Sequence, residues 1–269
     1  MKYKVSIIIP TFDRENLLFL TLSTLANNKF DKNAFEVIVV DDCSIEDISY
    51  IVEDYSRKLK INYIRHEKNV GCGMSRQTGI DNVTASHFMF LDSDDVLMPY
   101  TIESFNAYIK NKPQTEFLHT HFYEQGVSAD GIPVYLKYDR GFNWCHGKLY
   151  NAEKIKQFGI CSKPEVKWAD DSYFNALCCE LLEVSIFPLI TYVWTNTASS
   201  VMREKNSYRD KYLAQDFIRA MIFACEFIRQ YKEEIIFLPG TIEMIKQKYQ
   251  LGEEELKLLE QLSSYQIKD

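Results

Sequence analysis

Nowhere does the chain approach the roughly 18 consecutive apolar residues of a membrane-spanning helix, and its seven cysteines include no Cys-x-x-Cys pair. The first absence argues against a transmembrane segment. The second argues against zinc. Cys43, Cys72, Cys145, Cys161, Cys178, Cys179 and Cys225 are scattered and odd in number, and read as reduced thiols in a reducing compartment. No export signal stands out, because Val5 to Pro10 is too short for a signal core and Asp13, Arg14 and Glu15 follow it. A soluble, cytoplasmic protein is expected. Basic excess is also missing. The net charge of −7 disfavours nucleic acid as a partner, without excluding a local basic groove. Repeats, low-complexity tracts and flexible linkers are absent, so the 269 residues should pack as one body.

What is present is an alternation of strand-like and helix-like patterns. Val5–Pro10, Phe35–Val40, Ile61–Arg65 and His87–Leu91 are short apolar runs suited to buried strands. Between them, Glu15–Asn27, Ile45–Leu59 and Gly73–Val83 carry helix-compatible spacing. Such alternation predicts βαβ units, an α/β class and a mostly parallel sheet flanked by helices. Further on, a helix is expected over Tyr100–Lys110 and strands over Glu116–Glu124 and Pro133–Tyr138, with a turn at Gly126–Gly131. Helices at Ala152–Phe158 and Asp170–Leu181 should then precede two strands, Val184–Phe187 and Ile190–Trp194. A long helix at Tyr208–Tyr231 and two charged helices joined near Gly252 complete a helical C-terminal part.

The run Phe88-Met-Phe-Leu-Asp-Ser-Asp-Asp95 is the most informative segment. Bare carboxylates at the end of a buried strand are costly unless something compensates them. In an extended segment Asp92 and Asp94 point the same way, and a hard divalent cation carrying a diphosphate would compensate both. Polar residues also follow the other strands: Thr11 and Asp13 after the first, Asp41 and Asp42 after the second. Open sheets of this kind bind ligands beyond the carboxyl ends of their strands.

Taken in order, Val5-Ser-Ile-Ile-Ile-Pro-Thr-Phe-Asp-Arg14, Val37-Ile-Val-Val-Asp-Asp-Cys-Ser44, Asn69-Val-Gly-Cys-Gly-Met-Ser-Arg-Gln-Thr-Gly-Ile80, Phe90-Leu-Asp-Ser-Asp-Asp95 and Trp168-Ala-Asp-Asp-Ser-Tyr-Phe174 resemble family 2 glycosyltransferases. The resemblance covers about residues 3–203. It implies a GT-A fold and inverting transfer of a sugar from a nucleotide diphosphate donor, by resemblance UDP, with Mn²⁺ or Mg²⁺. The implied domains are 1–205, with a donor half (1–98) and an acceptor half (99–205), and a helical extension over 206–269. By resemblance Asp94 holds the metal, with Asp92 supporting it or contacting the ribose, and Ser93 lies between them. Pro10, Thr11, Asp13 and Arg14 line the nucleotide pocket, and Pro10 ends its strand. Asp41 or Asp42 accepts from base or ribose. Arg76 meets the diphosphate, although the family's Ala-Arg-Asn-x-Gly is here Ser75-Arg76-Gln77-Thr78-Gly79. Gly71 and Gly73 let the backbone approach the donor or shape the loop.

The acceptor-side motif reads Asp170-Asp171 in place of Glu-Asp, which makes Asp171 the general base and Asp170 the fallback. Both also suit a helix N-terminus. His146 and Lys148 are expected to face the cleft, with Trp168 on the acceptor side. Asn196, Ser199, Ser200 or Arg203 would supply any contact from the segment that closes over the donor. His119 and His121 share one face of a strand but lack further ligands, so they read as structural. A glycan, or another hydroxyl acceptor, is the default. Hydroxylated bases of phage DNA are a sharper alternative. A nucleotidyltransferase would show a glycine-rich loop after the first strand, where this chain has Thr11-Phe12-Asp13-Arg14. A non-catalytic nucleotide-sugar-binding module sits badly with Asp92, Asp94 and Asp171 together. Leu251, Leu256, Leu259 and Leu262 suit self-association through the C-terminal helices, or only a solvated helix packed on its own fold.

Overall fold

The structure is a computed structural model that describes residues 4–27, 31–128, 130–139, 143–195 and 207–266, the side chains of 207–211 excepted. Asn196, Ser199, Ser200 and Arg203 lie outside the described residues.

The first half alternates as its apolar periodicity requires. Strand β1 (Val5–Thr11) leads to α1 (Glu15–Asn27), β2 (Phe35–Asp41), α2 (Ser49–Ser56), β3 (Ile61–Arg65), α3 (Cys72–Asp81) and β4 (His87–Phe90). A two-residue strand β5 (Val96–Leu97) and α4 (Thr101–Asn111) follow. The second half holds β6 (Phe117–Val127), β7 (Pro133–Tyr138), β8 (Lys148–Asn151), α5 (Ala152–Gln157), α6 (Asp170–Leu181) and β9 (Val184–Thr195). Helices α7 (Ser207–Ile228), α8 (Leu238–Lys248) and α9 (Glu253–Ser263) end the described chain.

One sheet runs β3-β2-β1-β4-β8-β6-β9-β5, with β7 hydrogen-bonded to β6. Strands β3, β2, β1 and β4 are mutually parallel. The flank from β8 to β5 is mixed, with only β6 and β9 parallel. Alternation along the strands builds two cores. Ile7, Ile9, Val37 and Val39 face α1 and its neighbours Leu18, Leu22 and Leu25. Ile8, Ile38, Phe88 and Phe90 face α6 and α7 through Phe174, Leu177, Ile218 and Met221. The C-terminal helices therefore share a core with the sheet. Phe90 meets Phe174 edge-on at 5.8 Å, a pair worth about 1 kcal/mol beyond its burial, and it fixes the end of β4 relative to the start of α6.

Four expectations are corrected. Pro10 does not end β1, which continues to Thr11 opposite Asp41. Ile8 accepts from Leu91 N–H on the β4 side, and Pro10 shares that parity, so its missing N–H faces a side where β4 has already ended. Helix α2 starts at Ser49, not Ile45, because Ser44 and Ile45 are pinned in a loop by Asp41 and Asp13. The two strands expected over 184–194 form a single β9, with the register against β6 slipping at Pro188 and Leu189 and again at Thr191. Strand β6 also runs on to Val127, two residues into the expected turn.

Candidate active site

Three parallel strands end side by side and deliver polar residues to one rim. Thr11 closes β1, and its buried hydroxyl has no hydrogen-bond partner among the described residues. Two residues on, Asp13 adopts a left-handed backbone (φ 49°). Its N–H donates to Ser44 Oγ at 3.0 Å and its carboxylate accepts from Ile45 N–H at 2.7 Å. Asp13 thus ties the β1 loop to the β2 loop. Asp41 is wholly enclosed and accepts from Ser44, from the Tyr63 hydroxyl at 3.0 Å and from Arg65 at 2.8 Å. Asp42 accepts from the N–H groups of Val70 and Gly71, at 2.9 and 2.8 Å, and meets His66 at 2.9 Å. Both carboxylates are therefore engaged in holding loops, which makes direct acceptance from a base or ribose a poor use of either. An open groove of about 850 Å³ lies beside them, bounded by His66, Asn69, Val70, Met74 and Thr78. It does not reach the Asp92–Asp95 turn.

Gly71 sits at φ 91° before α3, a conformation that a side chain would strain. Gly73 has a different reason. A Cβ there would lie 2.8 Å from Asp170 Cβ, so glycine is what lets α3 meet the start of α6. That contact brings Arg76 into place. Its guanidinium is buried, and one arm donates to Asp92 at 2.7 Å while the other donates to Asp170. Arg76 is consequently a clamp between the two acidic motifs, not a cation free to meet a diphosphate as the resemblance implies. Burial pushes Asp92 upward, but the Arg76 guanidinium, with His146 beside it, holds it below the usual carboxylate range.

The turn after β4 is tightly built. Thr21 on α1 donates to the carbonyl oxygens of Ser93 and Asp95, at 2.9 and 3.1 Å. The Tyr192 hydroxyl donates to Asp95 at 2.6 Å and accepts from Asp92 N–H at 3.2 Å. Asp95 is fully buried and also accepts from Thr195 N–H at 2.7 Å. Burial and the neighbouring charges of Asp92 and Asp94 drive its carboxyl well above the ordinary value. Asp95 therefore joins the turn to β9 and caps no helix. Asp94 pairs with Arg14 at 3.0 Å.

Asp171, half-buried at the first turn of α6, has its carboxyl pushed up to about 7 by burial and by the adjacent Asp170. It accepts from Ser172 N–H at 2.7 Å. Trp168 is 41% exposed beside it. The loop before α6 is held from an unforeseen direction: Asp216 on α7 accepts the N–H groups of Lys167, Trp168 and Ala169, at 3.2, 2.8 and 3.0 Å.

His146 is buried behind Asp92, 3.9 Å away, and stacks on Trp194 at 5.1 Å. Burial lowers its pKa below the ordinary value, against the raising effect of Asp92. Lys148 departs further from expectation. It does not face the cleft; its side chain is wholly enclosed, donates to the Trp144 carbonyl, and has a pKa brought down to about 8 by burial.

The sequence profile of Glycosyl transferase family 2 matches residues 6–159, more than half the chain. The chain belongs to that family. It is 29% identical over 184 residues to the poly(ribitol-phosphate) β-N-acetylglucosaminyltransferase TarS of Staphylococcus aureus, which covers 64% of this chain and 32% of TarS. The chain thus spans about a third of that relative's length. Residues 1–349 of the same enzyme, in complex with UDP-GlcNAc, superpose with a TM-score of 0.70 at 22% identity, over 97% of this chain and 72% of that one. The mannosyltransferase PcManGT of Pyrobaculum calidifontis, in complex with GDP-Man and Mn²⁺, superposes with a TM-score of 0.65 at 16% identity, covering 98% and 74% of the two chains. The fold is accordingly of the GT-A type. Among the described residues no helix is long and apolar enough to cross a membrane.

Proposed function

We propose that this family 2 member transfers a sugar from a UDP-sugar to a hydroxyl of a glycan or polyol acceptor, with inversion and with a divalent cation. The observation that carries the reading is Asp171. Its carboxyl titrates at about 7 and is tied through Asp170 and Arg76 to Asp92 on the donor side. A base tuned close to the working pH suits abstraction of a hydroxyl proton. The TarS relative acts on poly(ribitol-phosphate), which favours a hydroxyl on a polyol or sugar over one on a nucleobase.

Asp92 and Asp94 offer hard oxygen donors two residues apart, and Arg14 already stands against Asp94 as an internal cation. That donor set fits Mn²⁺ or Mg²⁺, which Asp94 and Asp92 would hold. Such an ion, when bound, stabilises negative charge on the departing diphosphate. The remaining work belongs to the chain. Asp171 takes the acceptor O–H proton. The freed oxygen forms a bond to the anomeric carbon as the bond from that carbon to the diphosphate oxygen breaks, its electron pair leaving with UDP. Arg76 holds Asp92 and Asp170 at fixed separation. Asp216 and Tyr192 set the two loops from behind.

The test is UDP release from a panel of UDP-, GDP-, CMP- and dTDP-sugars with Mn²⁺, for wild type, Asp94→Asn and Asp171→Asn. Release from a UDP-sugar, lost in both variants, supports the reading. Release that is indifferent to either substitution, or preferring another nucleotide, overturns the corresponding part of it.

A further inference from the structure

Cys145 and His146 follow one another in the chain and are 2% and 5% exposed, against Asp92 just beyond the end of β4. A thiol, an imidazole and a carboxylate here offer donor atoms that all lie within 4.8 Å of one another. The imidazole is fixed. It is stacked on Trp194 and lies 5.0 Å from Tyr192 and 5.3 Å from Phe122. Its Nδ1 is buried without a hydrogen-bond partner among the described residues, and its Nε2 stands 3.9 Å from both Asp92 Oδ2 and Asp95 Oδ2, too far for a direct hydrogen bond. The Arg76 clamp uses Asp92 Oδ1, leaving Oδ2 turned to His146.

We infer that Cys145, His146 and Asp92 form a binding site for a thiophilic divalent ion of the zinc class, separate in chemistry from the hard-cation site at Asp94. Sulfur, nitrogen and oxygen donors suit Zn²⁺ in a tetrahedral site, with bonds of about 2.0–2.3 Å, and a three-ligand set leaves one position open. Gathering donors from within 4.8 Å to tetrahedral separations asks for shifts of about 1 Å. Asp92, with 26% of its side chain exposed, gives the ion a way in from solvent. Binding releases the Cys145 thiol proton to solvent. No Cys-x-x-Cys pair marks this site in the chain. Here one turn supplies sulfur and nitrogen, and a strand end some fifty residues earlier supplies the oxygen. Because the proposed transfer reaction also uses Asp92, an ion here draws that carboxylate away and inhibits; this last step alone rests on the proposed function.

The experiment titrates the full chain with Co²⁺, a spectroscopic stand-in for Zn²⁺. Wild type should bind one equivalent with a near-ultraviolet thiolate-to-cobalt charge-transfer band, abolished by added Zn²⁺. Cys145→Ser should lose the band, His146→Gln should weaken binding at least tenfold, and Cys161→Ser, altering an exposed thiol, should match wild type. No band in wild type, or an undiminished band in Cys145→Ser, overturns the site whatever the enzyme's activity. With a donor that turns over, Zn²⁺ should inhibit wild type in the presence of Mn²⁺ and should need at least tenfold more to inhibit Cys145→Ser. A cobalt band without inhibition leaves the site standing and removes the inhibitory role.

Discussion

The carboxylate of Asp216, on a C-terminal helix, accepts the backbone N–H of Trp168 at 2.8 Å, three residues before Asp171. With Lys167 and Ala169 also donating to it, one side chain satisfies three successive amides at the mouth of α6. Asp216→Ala should therefore destabilise the fold by about 2 kcal/mol, since hydrogen bonds to a charged group are worth roughly 1.5–3 kcal/mol and this one is partly solvated. Urea unfolding measures the cost. Hydrogen exchange should show the amides of 167–169 losing protection first, and sugar transfer should fall with it. A variant with wild-type exchange at those amides would refute the role.

Asp171 makes a prediction in pH. Its folded carboxyl sits at about 7, against 3.8 for the free group. Between those values the folded state holds a proton that the unfolded chain has lost, so this group's contribution to stability is full below about pH 4 and disappears as pH rises through 7. Asp171→Asn should therefore be more stable relative to wild type at pH 8 than at pH 4, by thermal unfolding at both. Turnover should behave oppositely. Wild-type kcat should rise as pH passes through 7, and the variant should lose about 10²–10⁴-fold above pH 7, with the gap narrowing as pH falls below it.

Tyr192 offers a test of the turn. Removing its hydroxyl in Tyr192→Phe deprives Asp95 of a donor and Asp92 N–H of an acceptor. A buried group left unsatisfied costs about 1–3 kcal/mol. Calorimetry should show that loss together with weaker Mn²⁺ binding, because the Asp92–Asp94 segment would no longer be held. Weaker stability with unchanged Mn²⁺ affinity would confine Tyr192 to the core.

Gly79 tests the packing under the site. A Cβ there would fall 2.3 Å from Ile8 Cγ2, so Gly79→Ala should cost about 1–3 kcal/mol through overpacking. The clash is with one side chain. The double variant Gly79→Ala/Ile8→Ala should thus be more stable than the sum of its single costs predicts, a coupling that a double-mutant cycle reads directly.

Local signals made the donor half readable. Short β-branched runs followed at once by Asp41 or Asp92 reveal both the strand and the rim it feeds, because a buried strand and its polar end are neighbours in sequence. The same locality explains the failures. Tyr192 lies 97 residues from Asp95, and Asp216 lies 47 residues from Ala169, and neither spacing leaves a periodic trace. The resemblance places Lys148 at the cleft, and lysine is rarely enclosed, yet β8 lies inside the sheet between β4 and β6. Asp41 and Asp42 were recognisable as strand-end carboxylates. That Tyr63, Arg65 and two loop amides would occupy them depends on how β3 and α3 fold back.

Arg76 carries a consequence for how this molecule could change over generations. Its two arms answer two carboxylates on elements 94 and 16 residues away, and a planar fork is the only cationic side chain shaped to do so at once. A lysine there would reach one partner and abandon the other. Drift at Arg76 leaves two carboxylates without their shared cation, and drift at Asp92 or Asp170 leaves one arm of a buried guanidinium without its acceptor. The three positions are therefore bound to a common fate, and a lineage that abandons one should be found to have rebuilt them all.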